Sequence, residues 1–411
     1  MKIAMLSTGE EVLHGDIVDT NAAWLGSVLF ENGFGLTKRA TVGDNLAPLV
    51  EELLMLSFNN DVVIVNGGLG PTSDDLTAEA AAQAADEPLT QNAHWVERMQ
   101  TFFASRGKEM PTSNLKQALL PASATMIDNP IGTACGFQMM LNDAVFYFTP
   151  GVPREFKKMV EGPILSDLKA RFPNVMKVEC SRLYTFGLSE SGISQTLADV
   201  SLPADYQLGY RSYLPFIEVK VFGPAEPLET RIKVVGLIHR LLEQNVVSID
   251  ETMLVHIGHR LDERALTLST AEIASNGYLT AWLKSESRIN ARFGPAWVLS
   301  EQQNHALDDS DPLAAALALA GATREKCQTD LALVVGKLHD NQFTVALSAI
   351  GGEWGMILEL TREYEVSDRN KLMSAVAADL LRRFLEKKPM FGQYGFLNNK
   401  RELFIPNSLV K

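Results

Sequence analysis

The apolar positions of this 411-residue chain alternate between two periods, and that alternation predicts the elements. Residues 2–7 form a short apolar run of strand type. Residues 21–32 place Ala22, Leu25, Val28 and Leu29 on one helical face, with Gly33 just beyond. Residues 35–42 read as strand and 46–57 as helix. Residues 61–66 are a continuous β-branched run that meets glycines at once, the pattern of a strand buried on both faces of a parallel sheet. Helices follow over 75–85 and 94–105, strands over 125–127, 136–141 and 144–148, and a helix over 153–170. The alternation predicts an α/β sandwich domain over 1–171. A strand at 177–186, a helix at 189–197, strands at 206–211 and 216–222 and a helix at 228–243 predict a small β-α-β-β-α domain over 175–249. Helices at 258–268, 277–284, 311–320 and 371–386, with strands at 331–335 and 342–349, predict a third, α/β domain over 254–390. Residues 391–411 have little periodicity and read as a loosely held tail. The fold class is therefore α/β in three domains.

Composition narrows the function. Thirty-seven Lys+Arg against 50 Asp+Glu leave a net charge of −13, which counts against duplex DNA as the ligand, because phosphate-backbone affinity comes from clustered cations. A small anion in one local pocket remains compatible. Cys135, Cys180 and Cys327 stand far apart with no CxxC spacing, so neither a disulfide framework nor a zinc site is expected and a reducing cytoplasm is the expected compartment. The first apolar run ends after six residues, too soon for a secretory signal, and none approaches the ~18 residues of a membrane span.

The strongest chemical signal is the run Asn66, Gly67, Gly68, Leu69, Gly70, Pro71, Thr72, Ser73, Asp74, Asp75 between a buried strand and a helix. The three glycines permit a tight turn and close backbone approach to a ligand. Successive N–H groups and the positive end of the following helix suit a phosphate. Open α/β sheets bind ligands at this position, outside the carboxyl ends of the strands. No lysine follows the glycines, so this is neither a Walker A loop nor GxGxxG. Thr72 or Ser73 as a helix cap, with Asp74 and Asp75 offsetting the macrodipole, would account for the acids but not for the glycines. Two carboxylates beside a diphosphate call for a bridging divalent cation such as Mg²⁺. One of Asp74 and Asp75 would be its ligand and the other a cap; the sequence leaves open which.

Other loops are expected on the same edge. Glu10 is a candidate metal or water-orienting carboxylate. Asp19, Thr20 and Asn21 precede the first long helix, where capping is the simpler role of the run. Gly132 lies in a small-residue loop, and Gly151 and Arg154 flank a helix start where both can touch a phosphate. His256 and His259 have metal-like spacing but no Cys or acidic pattern beside them, which favours a structural role. Cys135 sits in apolar surroundings and reads as core.

Together these loops are recognisable. Residues 7–25 (STGEEVLHGDIVDTNAAWL), 65–80 (VNGGLGPTSDDLTAEA), 129–137 (NPIGTACGF) and 148–156 (FTPGVPREF) resemble the CinA (competence/damage-inducible) family. The resemblance spans all three segments. It implies a molybdopterin-binding-type first domain with metal-dependent ADP-ribose pyrophosphatase activity, and a homodimer. It also implies a C-terminal domain that in active members deamidates nicotinamide mononucleotide through the serine of a T-A-E-S-C-T-G-G motif. Here that run is Thr270, Ala271, Glu272, Ile273, Ala274, Ser275, Asn276, Gly277. Ile273 replaces the nucleophile, and the residues 331–340 stand where a glycine-rich loop belongs, so no deamidase activity is expected. The reading that results is hydrolysis of ADP-ribose or a related nucleoside diphosphate compound. The rivals are a non-catalytic nucleotide- or pterin-binding module and a competence or DNA-repair accessory, the last disfavoured by the acidic charge.

Overall fold

The computed structural model describes residues 1–300 and 311–408. The chain divides into two compact units, Met1–Val178 and Glu179–Lys411.

The first unit contains β1 (Ile3–Thr8), β2 (Leu36–Val42), β3 (Val62–Asn66), β4 (Leu89–Gln91), β5 (Leu119–Pro121), β6 (Thr125–Ile127), β7 (Gly136–Leu141) and β8 (Ala144–Thr149). Six of them form a sheet of order β2-β1-β3-β8-β7-β6, and β4 pairs with β5 alone. Strands β2, β1, β3 and β8 run parallel, while β7 is antiparallel to both β8 and β6. Successive side chains point to opposite faces. Ala4, Leu6, Val63 and Val65 meet Leu49, Leu53, Ala81 and Trp95 on one face. Ile3, Met5, Val62 and Ile64 meet Leu25, Leu29, Phe156 and Leu168 on the other. The result is the α/β sandwich expected from the pattern.

The second unit contains two sheets. Strands β9 (Val178–Phe186), β10 (Gln207–Tyr213), β11 (Phe216–Pro224) and β12 (Val246–Ile249) form one, in the order β10-β11-β9-β12. Strands β13 (Leu268–Glu272), β14 (Phe293–Val298), β15 (Leu331–His339), β16 (Gln342–Ala349), β17 (Gly352–Leu360) and β18 (Leu397–Pro406) form the other, in the order β14-β13-β15-β16-β17-β18. Phe186, Phe216 and Val247 share a core with Leu333, Val345 and Leu380, so the segment 175–249, from residue 179 on, lies with 254–390 within one compact unit. The helix Val366–Glu386 runs through that core. Its buried Asp379 accepts from Arg382 and Arg383, each at 2.7 Å, and from the Tyr394 hydroxyl at 2.9 Å.

The tail corrects the expectation from sequence. Residues 391–406 are held, because Tyr394 is buried against Asp379 and β18 pairs along the whole of β17. The strand escaped notice because it is an edge strand carrying Asn398, Asn399, Lys400, Arg401 and Glu402 on exposed positions, the composition that discourages edge-to-edge pairing. Residues 409–411 lie outside the described part. Among the described residues, no helix is long and apolar enough to cross a membrane.

Candidate functional site

The parallel strands of the first unit end on one edge, and the loops beyond them carry the N-terminal residues singled out above except Gly132, which lies between the antiparallel β6 and β7. Asp19 caps the helix Thr20–Glu31: its carboxylate accepts from the Ala22 N–H at 2.8 Å and from the Ser7 hydroxyl at 2.6 Å. The run 19–21 thus caps the helix as expected, through Asp19, and Asn21 has another duty. Its buried amide donates to Asn66 Oδ1 at 2.9 Å and to the Gly151 carbonyl at 2.8 Å. Asn66 in turn donates to the Pro150 carbonyl at 2.7 Å, and the Gly67 N–H to the Thr149 carbonyl at 2.9 Å. These bonds fix the loop after β3 against the loop after β8.

Gly67 and Gly68 adopt φ of +113° and +66°. The reason for Gly68 differs from the one the motif suggests. A Cβ there would collide with the Thr77 hydroxyl, which is occupied in donating to the Gly67 carbonyl at 2.9 Å. The glycine serves the turn's own packing. Gly70 likewise leaves room for the Asp75 carboxylate.

The acidic pair also sits differently. The helix begins at Thr77 after an N-cap at Leu76 that makes no side-chain cap bond, two residues later than the pattern predicts. Thr72, Ser73, Asp74 and Asp75 precede it in a turn, so neither capping nor the first helical turn accounts for them. Asp75 folds back to accept from the Thr72 N–H at 2.9 Å and from the Thr72 hydroxyl. This closes the loop much as an Asx turn does. Lys116 donates to the Thr72 carbonyl and, with Gly68, Gly70, Asp75 and Gln117, lines a cavity of about 260 Å³ beside the turn.

Asp44, in the loop after β2, is a residue that sequence reasoning passed over. It exchanges hydrogen bonds with Glu10: the Glu10 N–H donates to its carboxylate and its own N–H donates to Glu10 Oε1, both at 3.1 Å. Partial burial pushes the Asp44 carboxyl above its ordinary value. The Glu10 N–H works against that, and the charges of Glu11, Asp74 and Glu10 add to it. Glu10, Glu11, Asp44 and Asp74 thus share one negative field. Among the described residues, no three His, Cys, Asp or Glu side chains converge closely enough to enclose an ion. Such a field fits a hard cation that takes one or two carboxylates and completes its shell with substrate phosphate and water, the usual habit of Mg²⁺. Asp75 is engaged with Thr72, and a hydrogen bond with Thr72 also holds the Asp74 carboxyl below its ordinary value, so that contact does not separate the two acids.

Two buried polar atoms on this edge, Thr8 Oγ1 and Asn21 Oδ1, have no hydrogen-bond partner. Buried polar atoms are normally paired, and these two sit under the glycine turn and beside Asn66. Farther along, the fully buried Asn129 donates to Glu155 Oε2 at 2.7 Å and accepts from the Gly132 N–H at 3.1 Å. Glu155 is thereby a clamp between the 129–133 loop and the helix Pro153–Met159, and the Gly132 N–H is spent inside the loop. Arg154 is exposed.

In the second unit, Ile273 and Ser275 are both buried. The Ser275 hydroxyl donates to Glu272 Oε2 at 2.6 Å, and the same carboxylate group accepts from the N–H groups of Leu279 and Thr280 at 3.0 Å each. Glu272 caps the helix Tyr278–Lys284 from within the core, and Ser275 is bound into that cap. The Ile273 and Ala274 N–H groups donate to Val335 and Gly336 carbonyls at 2.9 and 3.1 Å.

Residues 4–170 match a family model described as a probable molybdopterin binding domain. Over 421 aligned residues the chain is 39% identical to the CinA-like protein of Shewanella amazonensis, covering 97% of this chain and 99% of that one. The chain belongs to the CinA-like family. A second relative in the family, the NMN amidohydrolase-like protein YfaY of Escherichia coli strain K12, is 40% identical over 399 residues and 97% of each chain. A crystal structure of the protein CinA, of unknown function, from Thermoplasma acidophilum matches 41% of this chain and 97% of its own at 28% identity and a TM-score of 0.38.

Proposed function

We propose that the first unit of this CinA-like protein hydrolyses the diphosphate bond of ADP-ribose or a related nucleoside diphosphate compound. The observation that carries this reading is the meeting of the glycine turn, the Glu10–Asp44–Asp74 field and two unpartnered buried polar atoms at one sheet edge. The turn holds one phosphate by its N–H groups, with Lys116 on the flank. Thr8 Oγ1 donates to a ligand oxygen, and Asn21 Oδ1 accepts from a ligand hydroxyl or from the attacking water. Asp44 and Asp74 would hold a divalent cation, which would supply neutralisation of the charge that develops on phosphorus. Glu10 orients the water. A new bond forms between water oxygen and one phosphorus, and the bridging P–O bond breaks. AMP and a ribose phosphate leave, with one proton lost from the water.

The name of the Escherichia coli relative, NMN amidohydrolase-like protein, suggests amide hydrolysis as the competing chemistry. We assign none to this chain, because Ile273 offers no nucleophile, Ser275 is committed to Glu272, and the nearby N–H groups are paired. The test is turnover of the full chain against a panel of nucleoside diphosphate compounds with Mg²⁺, with and without chelator. Chelator-sensitive release of AMP supports the reading. Tight binding of the same compounds with no turnover under any divalent metal would replace it with the binding-module reading.

A further inference from the structure

The end strands of an open sheet present unpaired backbone groups, and such edges invite further pairing unless they are blunted. In the three larger sheets, every end strand but one is blunted. Strand β2 carries Lys38 and Arg39, and β6 is only three residues long. Strand β12 is four residues with an irregular register, and β14 contains Pro295. Strand β18 carries Lys400, Arg401 and Glu402.

Strand β10 has none of these guards. It runs for seven residues, contains no proline, and pairs with β11 from Gln207 opposite Phe222 to Tyr213 opposite Phe216 without a register shift. Its one charge, Arg211, lies 3.7 Å from Glu218 of β11. Among the described residues, no backbone group outside β11 bonds to residues 207–213. The Ser212 hydroxyl donates to Glu190 at 2.6 Å, a bond that uses none of the strand's backbone. The edge also cuts through two apolar layers. Leu208 and Tyr210 are half-buried against a cluster with Val234 and Ile238 of the helix Leu228–Leu242. Tyr213, on the opposite face, packs on the cluster that contains Phe186 and Phe216.

We propose that β10 pairs antiparallel with β10 of a second copy of this chain, across a two-fold axis at Tyr210. That register uses the whole strand: Tyr210 meets Tyr210, Leu208 meets Ser212, Gly209 meets Arg211 and Gln207 meets Tyr213. An aromatic pair lies at the axis, and no charge stands directly opposite a like charge. Centring the axis on Arg211 would oppose two like charges. Centring it on Gly209 would leave Ser212 and Tyr213 unpaired. With the axis at Tyr210, Leu208 and Tyr210 of both copies close the apolar layer that the edge leaves open. The contact is isologous and closes at two copies, because β12 at the other end of this sheet is short and irregular. One strand pair supplies about one backbone hydrogen bond per residue and falls below the ~1,600 Å² of a standard stable interface. The dimer is therefore weak and reversible, with a dissociation constant on the order of 10–100 μM.

The test is sedimentation velocity of the full chain across that concentration range, with hydrogen exchange of the 207–213 amides at its two ends. The parent passes from monomer to dimer, and protection of these amides rises with concentration. Tyr210→Lys, which opposes two ammonium groups at the axis, weakens association roughly 5–20-fold, whereas Tyr210→Phe retains it. Circular dichroism identifies the folded variants. If Tyr210→Lys does not fold, a peptide of residues 206–213 (YQLGYRSY) added to the parent decides the matter: it caps the edge and returns the dimer to monomer, and the same residues in scrambled order do not. A parent that stays monomeric, 207–213 amides that exchange alike at both concentrations, or association unchanged by a folded Tyr210→Lys or by the peptide overturns the proposal.

Discussion

Replacing Asp44 by Asn should stabilise the protein and disable it together. Asp44 lies in the field of Glu10, Glu11 and Asp74, and those three like charges raise its pKa after burial does. Like-charge neighbours cost about 0.2–0.5 kcal/mol per pair, so three pairs amount to roughly 0.6–1.5 kcal/mol, which salt reduces to about 0.5–1 kcal/mol. Asparagine keeps an oxygen for the Glu10 N–H, and the weaker bond to a neutral amide offsets part of that gain. For a unit of this size the gain is a rise in melting temperature of about 1–4 °C without metal. The sign with pH is fixed. Folding raises the Asp44 pKa above its ordinary 3.8, so the parent loses stability as pH climbs from that value through the raised one. The difference between variant and parent is therefore absent in acid and complete at neutral pH. Mg²⁺ should raise the melting temperature of the parent and leave the variant unmoved, and AMP release should fall by about 10²-fold. Calorimetry at pH 3.5 and 7, with and without Mg²⁺, and an AMP-release assay read all of this. A variant that is more stable and fully active would show that the acids are a solvated cluster with no part in the reaction.

Gly68→Ala should destabilise the first unit by about 1–3 kcal/mol in urea titration, from its positive φ and the Thr77 clash; Gly68→Ala with Thr77→Ala should recover only part. No loss in the single variant would contradict the packing account of the turn. Ile273→Ser should release no ammonia from nicotinamide mononucleotide, since a lone serine lacks a base and oxyanion donors; clear turnover by this variant or by the parent would show that the pocket is not degenerate. His256 is held above its ordinary 6.5 by Glu386 first and Glu251 second, against the pull of burial. Its contribution to stability is complete below 6.5 and is lost as pH rises through the raised value. The calorimetric transition of the second unit should therefore fall over that range in the parent and lose this dependence in His256→Gln.

The parallel strands and the glycine turn were legible because their signals are local: an unbroken apolar run ending in glycines can hardly be anything else. Strand β17 was missed because Gly352 and Gly355 look like breakers, although a Cβ at Gly355 would collide with Leu313 and Leu317 of the helix above it. Strand β18 was missed because an edge strand is polar by necessity. Strand β13 was hidden because the helix before it was read too long, to 268 instead of Glu263. At the site, the motifs were visible but their internal duties were not. The run 19–21 reads as a cap, but only the structure divides its work, with Asp19 capping and Asn21 bound to Asn66 and Gly151. Glu155 carries no signal of its bond to Asn129, 26 positions earlier. Asp44 carries no motif at all, and its role depends on the distance between two loops that only the sheet brings together.

The most direct test of the central claim is a ³¹P spectrum of ADP-ribose incubated with the full chain and Mg²⁺ in ¹⁸O-labelled water. The account predicts that the diphosphate signals give way to two monophosphate signals, one of which carries the isotope shift of a newly bound ¹⁸O, and that chelator or Asp44→Asn prevents the change. Diphosphate signals that persist with every divalent metal, from protein shown to bind the compound, would contradict it.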